Sequence, residues 1–276
     1  MTKKTSDFGL RVMTALFGGT ALVLLIVYGK VWGSYLLAGV MSFGMMFEFL
    51  ELVLSKKDRA IKKGLPLVCV PVVFLVSYFL NIEIFILFIM LLFLVFCVYL
   101  FLAKGYTQSN LLTHVNEMMF SVYAVSYLVI FPLFLPELRQ LNSGLHWVVL
   151  FFLMNWFGDS FAYLVGKAIG KHKLYSLISP KKTVEGAVAG TIATCLIAWG
   201  YQSVFLSQFS LINVLVLALV VAIVSQLGDL FESLLKRAFK VKDSGNVLPG
   251  HGGFLDRFDG VVFSLPVMYT GVSYLL

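Results

Sequence analysis

The residues best suited to chemistry lie between Ser225 and Asp259, in SQLGDLFESLLKRAFKVKDSGNVLPGHGGFLDRFD, which holds five of the fourteen acidic residues. The first of these charges follow directly on an uninterrupted apolar run, Leu211 to Val224. A charge at the centre of a membrane helix costs about 2.5–3.5 kcal/mol on insertion scales, so packing alone does not account for Asp229, Glu232, Lys236 and Arg237 there. Asp229, Glu232, Ser233, Lys236 and Lys240 are spaced i, i+3, i+4, i+7 and i+11, which predicts one polar stripe on a helix. The KDSGNVLPGHGG segment that follows is rich in glycine, turns the chain sharply and exposes backbone N–H groups of the kind that cradle phosphate. Asp256 and Asp259 come next, three apart. Three aspartates among lysines and arginines suit a hard cation such as Mg2+, with phosphates held by the cation and the bases. Too few thiols and imidazoles accompany them for zinc. An internally neutralised ion network is the other reading of the same charges.

A second cluster runs from Asn155 to Gly186. Asp159 sits at membrane depth in an otherwise apolar run, where it serves either a site or a steadying ion pair. Gly158, Ala162, Gly166 and Gly170 recur every four residues, a ridge along which another helix can approach closely. Lys167, Lys171, His172 and Lys173 then lead to ISPKKTVEG. Ser179 followed by Pro180 predicts a helix start, serine as cap and proline at the first position. Lys181 and Lys182 would then occupy a first turn where the helix dipole prefers acids, which points to a bound anion there, with Glu185 partly offsetting them. A solvated basic loop is the plainer alternative.

These segments must be positioned by membrane helices. The chain has 276 residues, 60% hydrophobic and 13% charged, and apolar runs of spanning length recur throughout. The fold expected is an all-α polytopic membrane protein of about nine transmembrane helices, near 9–29, 32–54, 65–80, 82–103, 117–136, 144–170, 184–204, 211–238 and 259–276. Residues 1–276 form a single membrane domain, 1–143 carrying the first five helices and 144–276 the catalytic ones. Pro66, Pro132, Pro136 and Pro180 fall near the ends of these elements. With the N-terminus inside, nineteen of the twenty-one basic residues lie on the inner side and only Lys30 and Arg139 outside, which predicts an N-in, C-out chain. The net charge of +7 is therefore a topology signal, and nucleic acid is not an expected partner. Cys69, Cys97 and Cys195 lie in apolar surroundings and are expected to be free thiols. Lys3, Lys4 and Arg11 precede a first run read as an uncleaved helix. The basic KKDRAIKK segment, 56–63, reads as an inner loop beside lipid headgroups, with Glu48 and Glu51 pairing with its lysines. Glu83, Glu117, His114 and His146 carry no assigned role.

Ser233, Lys236-Arg237, Lys242-Asp243, Gly245, Leu248-Pro249, His251-Gly252-Gly253 and Asp256-Arg257-Phe258-Asp259, in that order over 27 residues, resemble the signature of the bacterial phosphatidate cytidylyltransferases (CDP-diacylglycerol synthases). DSFAYLVGKAIGKHKL and ISPKKTVEG resemble that family's other block. The first five helices resemble it in hydropathy only. The resemblance implies transfer of the cytidylyl group of CTP to phosphatidic acid, giving CDP-diacylglycerol and pyrophosphate, a step of phospholipid biosynthesis. It implies Mg2+ held by Asp229, Asp256 and Asp259, with K+ as a possible second cation, and catalytic roles for those three and Lys236. Substrate binding would fall to Asp159, Lys167, Ser179, Lys181, Lys182, Glu185, Ser233, Arg237, Lys242, Asp243, His251, Gly252, Gly253 and Arg257. It further implies a homodimer in the cytoplasmic membrane with the active site facing the cytoplasm. Two other readings share part of the pattern. A CTP-dependent kinase of a prenol would need a base to deprotonate its alcohol, for which His251 is the one candidate. A transporter would also bury charge, but with internal repeats and broken midplane helices that this sequence does not show.

Overall fold

The computed structural model of the chain describes residues 17–53, 59–79, 112, 115–116, 119–120, 123–124, 126–245, 247 and 252–275. Apolar runs fold as helices because each helix satisfies its own backbone where no water is available. They are α1 (Phe17–Val27), α2 (Lys30–Val53), α3 (Arg59–Phe79), α4 (Phe131–Gln140), α5 (Gly144–Ile169), α6 (Val184–Phe205), α7 (Leu211–Ala238) and α8 (Leu255–Leu275). Four of them, α2, α5, α6 and α7, are long and apolar enough to cross a membrane. Of the nine expected spans, the 82–103 helix lies outside the described residues, as do much of the 117–136 helix and the N-terminal cluster Lys3, Lys4 and Arg11.

The structure departs from the expected fold in four places. The chain is mostly helical rather than all-α: β1 (Lys173–Tyr175) and β2 (Ser179–Thr183) pair antiparallel, with Tyr175 opposite Ser179. No helix starts at Ser179-Pro180. The residue before a proline is driven to extended backbone, which serves a strand as well as a helix cap. The helix begins at Val184 instead, where Thr183 is the cap and its hydroxyl accepts a hydrogen bond from the Gly186 N–H, 3.2 Å. Pro66 falls inside α3 and Pro136 inside α4, not at their ends. Finally, α7 stops at Ala238, and Lys240 adopts φ 56°, so Lys240 leaves the polar stripe.

The ridge on α5 packs against α6. A Cβ at Gly158 would meet the Thr194 hydroxyl at 2.7 Å, and one at Gly186 would meet the Ala162 carbonyl at 2.6 Å. This close approach brings α5, α6 and α7 together around their polar ends. A five-residue π-helical segment, Ser126–Ile130, precedes α4 and turns Tyr127 toward α8, where its hydroxyl donates to the Asp259 carbonyl at 2.8 Å. Trp147, Phe49, Phe151 and Met45 are fully buried in the apolar core, whereas Leu219, Ile223, Ile192 and Leu196 face outward as lipid-contacting residues would.

Candidate active site

The polar end of α7 and the first turns of α8 meet, and two groups of carboxylates form there. The first is built from Asp256. Its Oδ1 accepts from Lys236 Nζ at 2.6 Å, and its Oδ2 accepts from the Ser244 N–H (2.9 Å), the Ser244 hydroxyl (3.0 Å) and the Gly253 N–H (3.0 Å). Lys236 is also ion-paired with Glu232, one turn earlier on the same face and 0% exposed. The loop wraps tightly enough that Gly252 takes φ 87°, a left-handed conformation that disfavours side chains, and a Cβ on Gly253 would run into Ser244 Oγ and Glu48.

The second group gathers Asp159 of α5, Asp229 of α7 and Asp259 of α8. Each lies within electrostatic reach of the others, and Glu232 adds its charge to Asp259. Against them stands Lys182 of β2, ion-paired with Asp229. Along β2, Lys182 is half-buried and Lys181 exposed. Both lysines thus lie on a strand rather than in the first turn of a helix. Asp259 Oδ1 accepts the Gly260 N–H at 2.7 Å. Beside Asp159 opens a small cleft between α5, α6 and α7. Its wall includes Asn155, Thr194, Ser225 and Gln226, where Ser225 donates to Asn155 (2.8 Å) and Gln226 to Thr191 (3.0 Å).

Among the described residues, no group of three or more His, Cys, Asp or Glu is drawn together tightly enough to hold a metal ion by itself. Asp229, Asp256 and Asp259 divide between the two groups instead of converging on one point. Glu185 clamps the β-hairpin, accepting from the His172 N–H at 3.1 Å with the His172 ring Nδ1 at 2.7 Å. The Arg237 guanidinium donates to the carbonyls of Ile178 (3.2 Å) and Val241 (3.1 Å), tying the hairpin turn to the end of α7. Lys167 lies over the Tyr163 ring, 5.9 Å from its centre. Lys242, Asp243 and Arg257 are exposed, Ser179 and Ser233 half-buried, and His251 lies outside the described residues.

Sequence reasoning missed Glu48 and Ser244. Glu48 is 1% exposed, and its Oε2 accepts from the Ser244 hydroxyl (2.9 Å) and the Leu255 N–H (3.0 Å); Lys56 and Lys57 of the expected pairing lie outside the described residues. The signal was present, a carboxylate inside the apolar SFGMMFEFL, but its partner lies 196 residues on.

A model of the cytidylyltransferase family matches residues 9–275. The chain is similar to the phosphatidate cytidylyltransferase of Bacillus subtilis, 41% identical over 175 residues, which is 63% of this chain and 65% of that protein. The same name belongs to similar proteins of Staphylococcus saprophyticus, 42% identical over 149 residues, and Staphylococcus aureus, 43% identical over 152, each match covering 54% of this chain and 56% of the relative. The chain thus spans between about half and two thirds of the curated relatives it matches. Because the family match runs through both carboxylate groups, the hairpin and the helices that carry them, the chain belongs to the cytidylyltransferase family.

Proposed function

We propose that this protein transfers the cytidylyl group of CTP to phosphatidic acid, releasing pyrophosphate and forming CDP-diacylglycerol. The observation that carries this reading is the pairing of carboxylates and ammonium groups where α7 meets α8, in a chain of this family. The names of the similar proteins supply the substrates. The nucleophile is a phosphate monoester oxygen of the lipid, already largely ionised at neutral pH because the second pKa of such a group is about 6. It attacks the α-phosphorus of CTP, the bond to the β-phosphate oxygen breaks, and pyrophosphate leaves. No strong general base is needed, and the work is positioning and charge neutralisation.

The donor set fits Mg2+. It offers hard carboxylate oxygens in excess of nearby ammonium groups, and Mg2+ is commonly held by one or two carboxylates plus substrate phosphates rather than by a protein cage. Asp229 and Asp259 of one group, with Asp256 of the adjoining one, would hold it together with substrate phosphates, since the three do not converge on one point by themselves. Asp256 Oδ1 takes a single protein donor and keeps a lone pair. When bound, Mg2+ supplies positive charge against the phosphate oxygens, and K+ as a second cation would extend that role. Lys236, Lys182 and Lys181 neutralise phosphate, and Asp159, Lys167, Ser179, Glu185, Ser233, Arg237, Lys242, Asp243, His251, Gly252, Gly253 and Arg257 complete the nucleotide and lipid surroundings. The chain lies in the cytoplasmic membrane with its N-terminus and this site inside, and two copies associate. The basic-residue count supports that orientation.

The test uses the purified full chain in detergent with phosphatidic acid, Mg2+ and CTP labelled in its cytidine or its γ-phosphate. Cytidine label entering the lipid fraction, lost with chelator and in Asp256→Ala, supports the proposal. γ-Phosphate on an added prenol, with unlabelled phosphatidic acid, would replace it with the kinase reading.

A further inference from the structure

Glu48 lies outside the two motif blocks around residues 159–186 and 233–259, yet it is the one buried carboxylate of α2, and it touches the signature loop. Its Oε2 accepts the Leu255 N–H that opens α8 and lies 2.9 Å from the Ser244 hydroxyl, whose single proton it shares with Asp256 Oδ2. Its Oε1 has no hydrogen-bond partner among the described residues and lies against Gly245, where an added Cβ would come within 2.6 Å of it. An added Cβ on Gly253 would strike the same carboxylate. Both limbs of the loop therefore close on Glu48, and two glycines leave the room for it.

What Glu48 holds is also what holds Asp256. Ser244 donates its backbone N–H to Asp256 Oδ2, and its hydroxyl lies 2.9 Å from Glu48 and 3.0 Å from Asp256. Leu255 is the residue before Asp256, so fixing its N–H fixes the start of the turn that carries that aspartate. A loop rich in glycine has many competing conformations, and a buried hydrogen-bond acceptor selects one of them. We propose that Glu48 is a positioning residue for cytidylyl transfer: a carboxylate supplied by the N-terminal half that sets Ser244 and the first turn of α8, and through them Asp256. The proposal rests on the function proposed above, and it makes the catalytic part larger than residues 144–276.

The experiment compares the full-length wild type with Glu48→Ala, Glu48→Gln and Ser244→Ala, reading steady-state transfer, hydrogen–deuterium exchange and thermal midpoint on the same preparations. Glu48→Ala is expected to lower kcat about tenfold to a hundredfold, while KM for either substrate changes by less than about threefold. Exchange is expected to rise in peptides covering 241–258 and to stay unchanged in α5 and α6. Glu48→Gln, whose amide oxygen can accept both bonds, retains most of the rate. Glu48→Ala and Ser244→Ala combine less than additively because they break one network. If Glu48→Ala cannot be purified folded, Ser244→Ala and Glu48→Gln carry the comparison. An unchanged kcat, an unchanged loop exchange, or a loss of protection spread over all helices with no rescue by glutamine would overturn the proposal. If the wild type transfers no cytidylyl group, the proposed function fails, and the exchange arm alone then decides whether Glu48 sets the loop.

Discussion

Asp256 and Asp229 sit in adjoining groups and are treated oppositely by the fold. Asp256 is met by an ammonium, two backbone N–H groups and a hydroxyl, and its neighbours Glu232 and Glu48 are themselves engaged. Asp229 shares its space with Asp159 and Asp259 and is met by Lys182 from a two-stranded hairpin. The first group is organised by the protein's own donors. The second brings carboxylates within electrostatic reach of one another, an arrangement that costs energy unless cations share the site. Rigid support and concentrated charge are thus separated by about one helical turn of α8, from Asp256 to Asp259. A reaction between two phosphates needs both, because the charge has to be neutralised at fixed positions.

Lys236 is the bridge within the supported group. Lys236→Met removes the ammonium between a fully buried Glu232 and Asp256. Leaving buried charges uncompensated in this way costs about 3–5 kcal/mol, so the unfolding free energy in SDS titration should fall by that order and activity should vanish. Adding Glu232→Gln should restore much of the stability and none of the activity. Restored activity in the double variant would show that Lys236 serves only the fold.

Asp229→Asn acts on the other group and should show the opposite profile. Replacing one of several mutually repelling carboxylates removes little support, so the midpoint should hold or rise. Transfer should fall about a hundredfold to a thousandfold, the scale seen when one preorganised electrostatic group is lost. A midpoint that drops as far as that of Lys236→Met would erase the distinction between the groups.

Gly253→Ala sharpens the comparison at the loop. The methyl would meet Ser244 Oγ and the Glu48 carboxylate, and overpacking of this kind costs about 1–3 kcal/mol. The expected readout is faster exchange in the 241–258 peptides with the α5–α6 pair unaffected.

Much of this architecture could be read from the chain, for a physical reason. Apolar runs in lipid leave few alternatives, so the expected 144–170, 184–204 and 211–238 helices appear as Gly144–Ile169, Val184–Phe205 and Leu211–Ala238. The stripe of Asp229, Glu232 and Lys236 follows from helical spacing and lies where α7 meets α8. The hairpin was not readable, because Ser179-Pro180 favours extended backbone before proline whether a helix or a strand follows. Only pairing with β1 decides between them. The partners of Glu48 were not readable for a related reason: those described come from the far end of the chain, while Lys56 and Lys57 of the expected pairing lie outside the described residues.

The hairpin error leads to the smallest effect. Thr183 ends β2 and caps α6, so one residue fixes both the strand that presents Lys182 and the helix that packs on α5. A Cβ at Gly166 would come 2.8 Å from the Thr183 hydroxyl, so the cap lies directly in the α5–α6 contact. Thr183→Ala removes the bond to the Gly186 N–H and should cost about 1 kcal/mol. Thr183→Ser keeps the hydroxyl and should recover most of it. If Lys182 matters through its place on the strand, the alanine variant should raise KM for CTP by a few-fold while leaving exchange in the 241–258 loop unchanged. A change confined to that loop would instead mean that the two carboxylate groups are mechanically one.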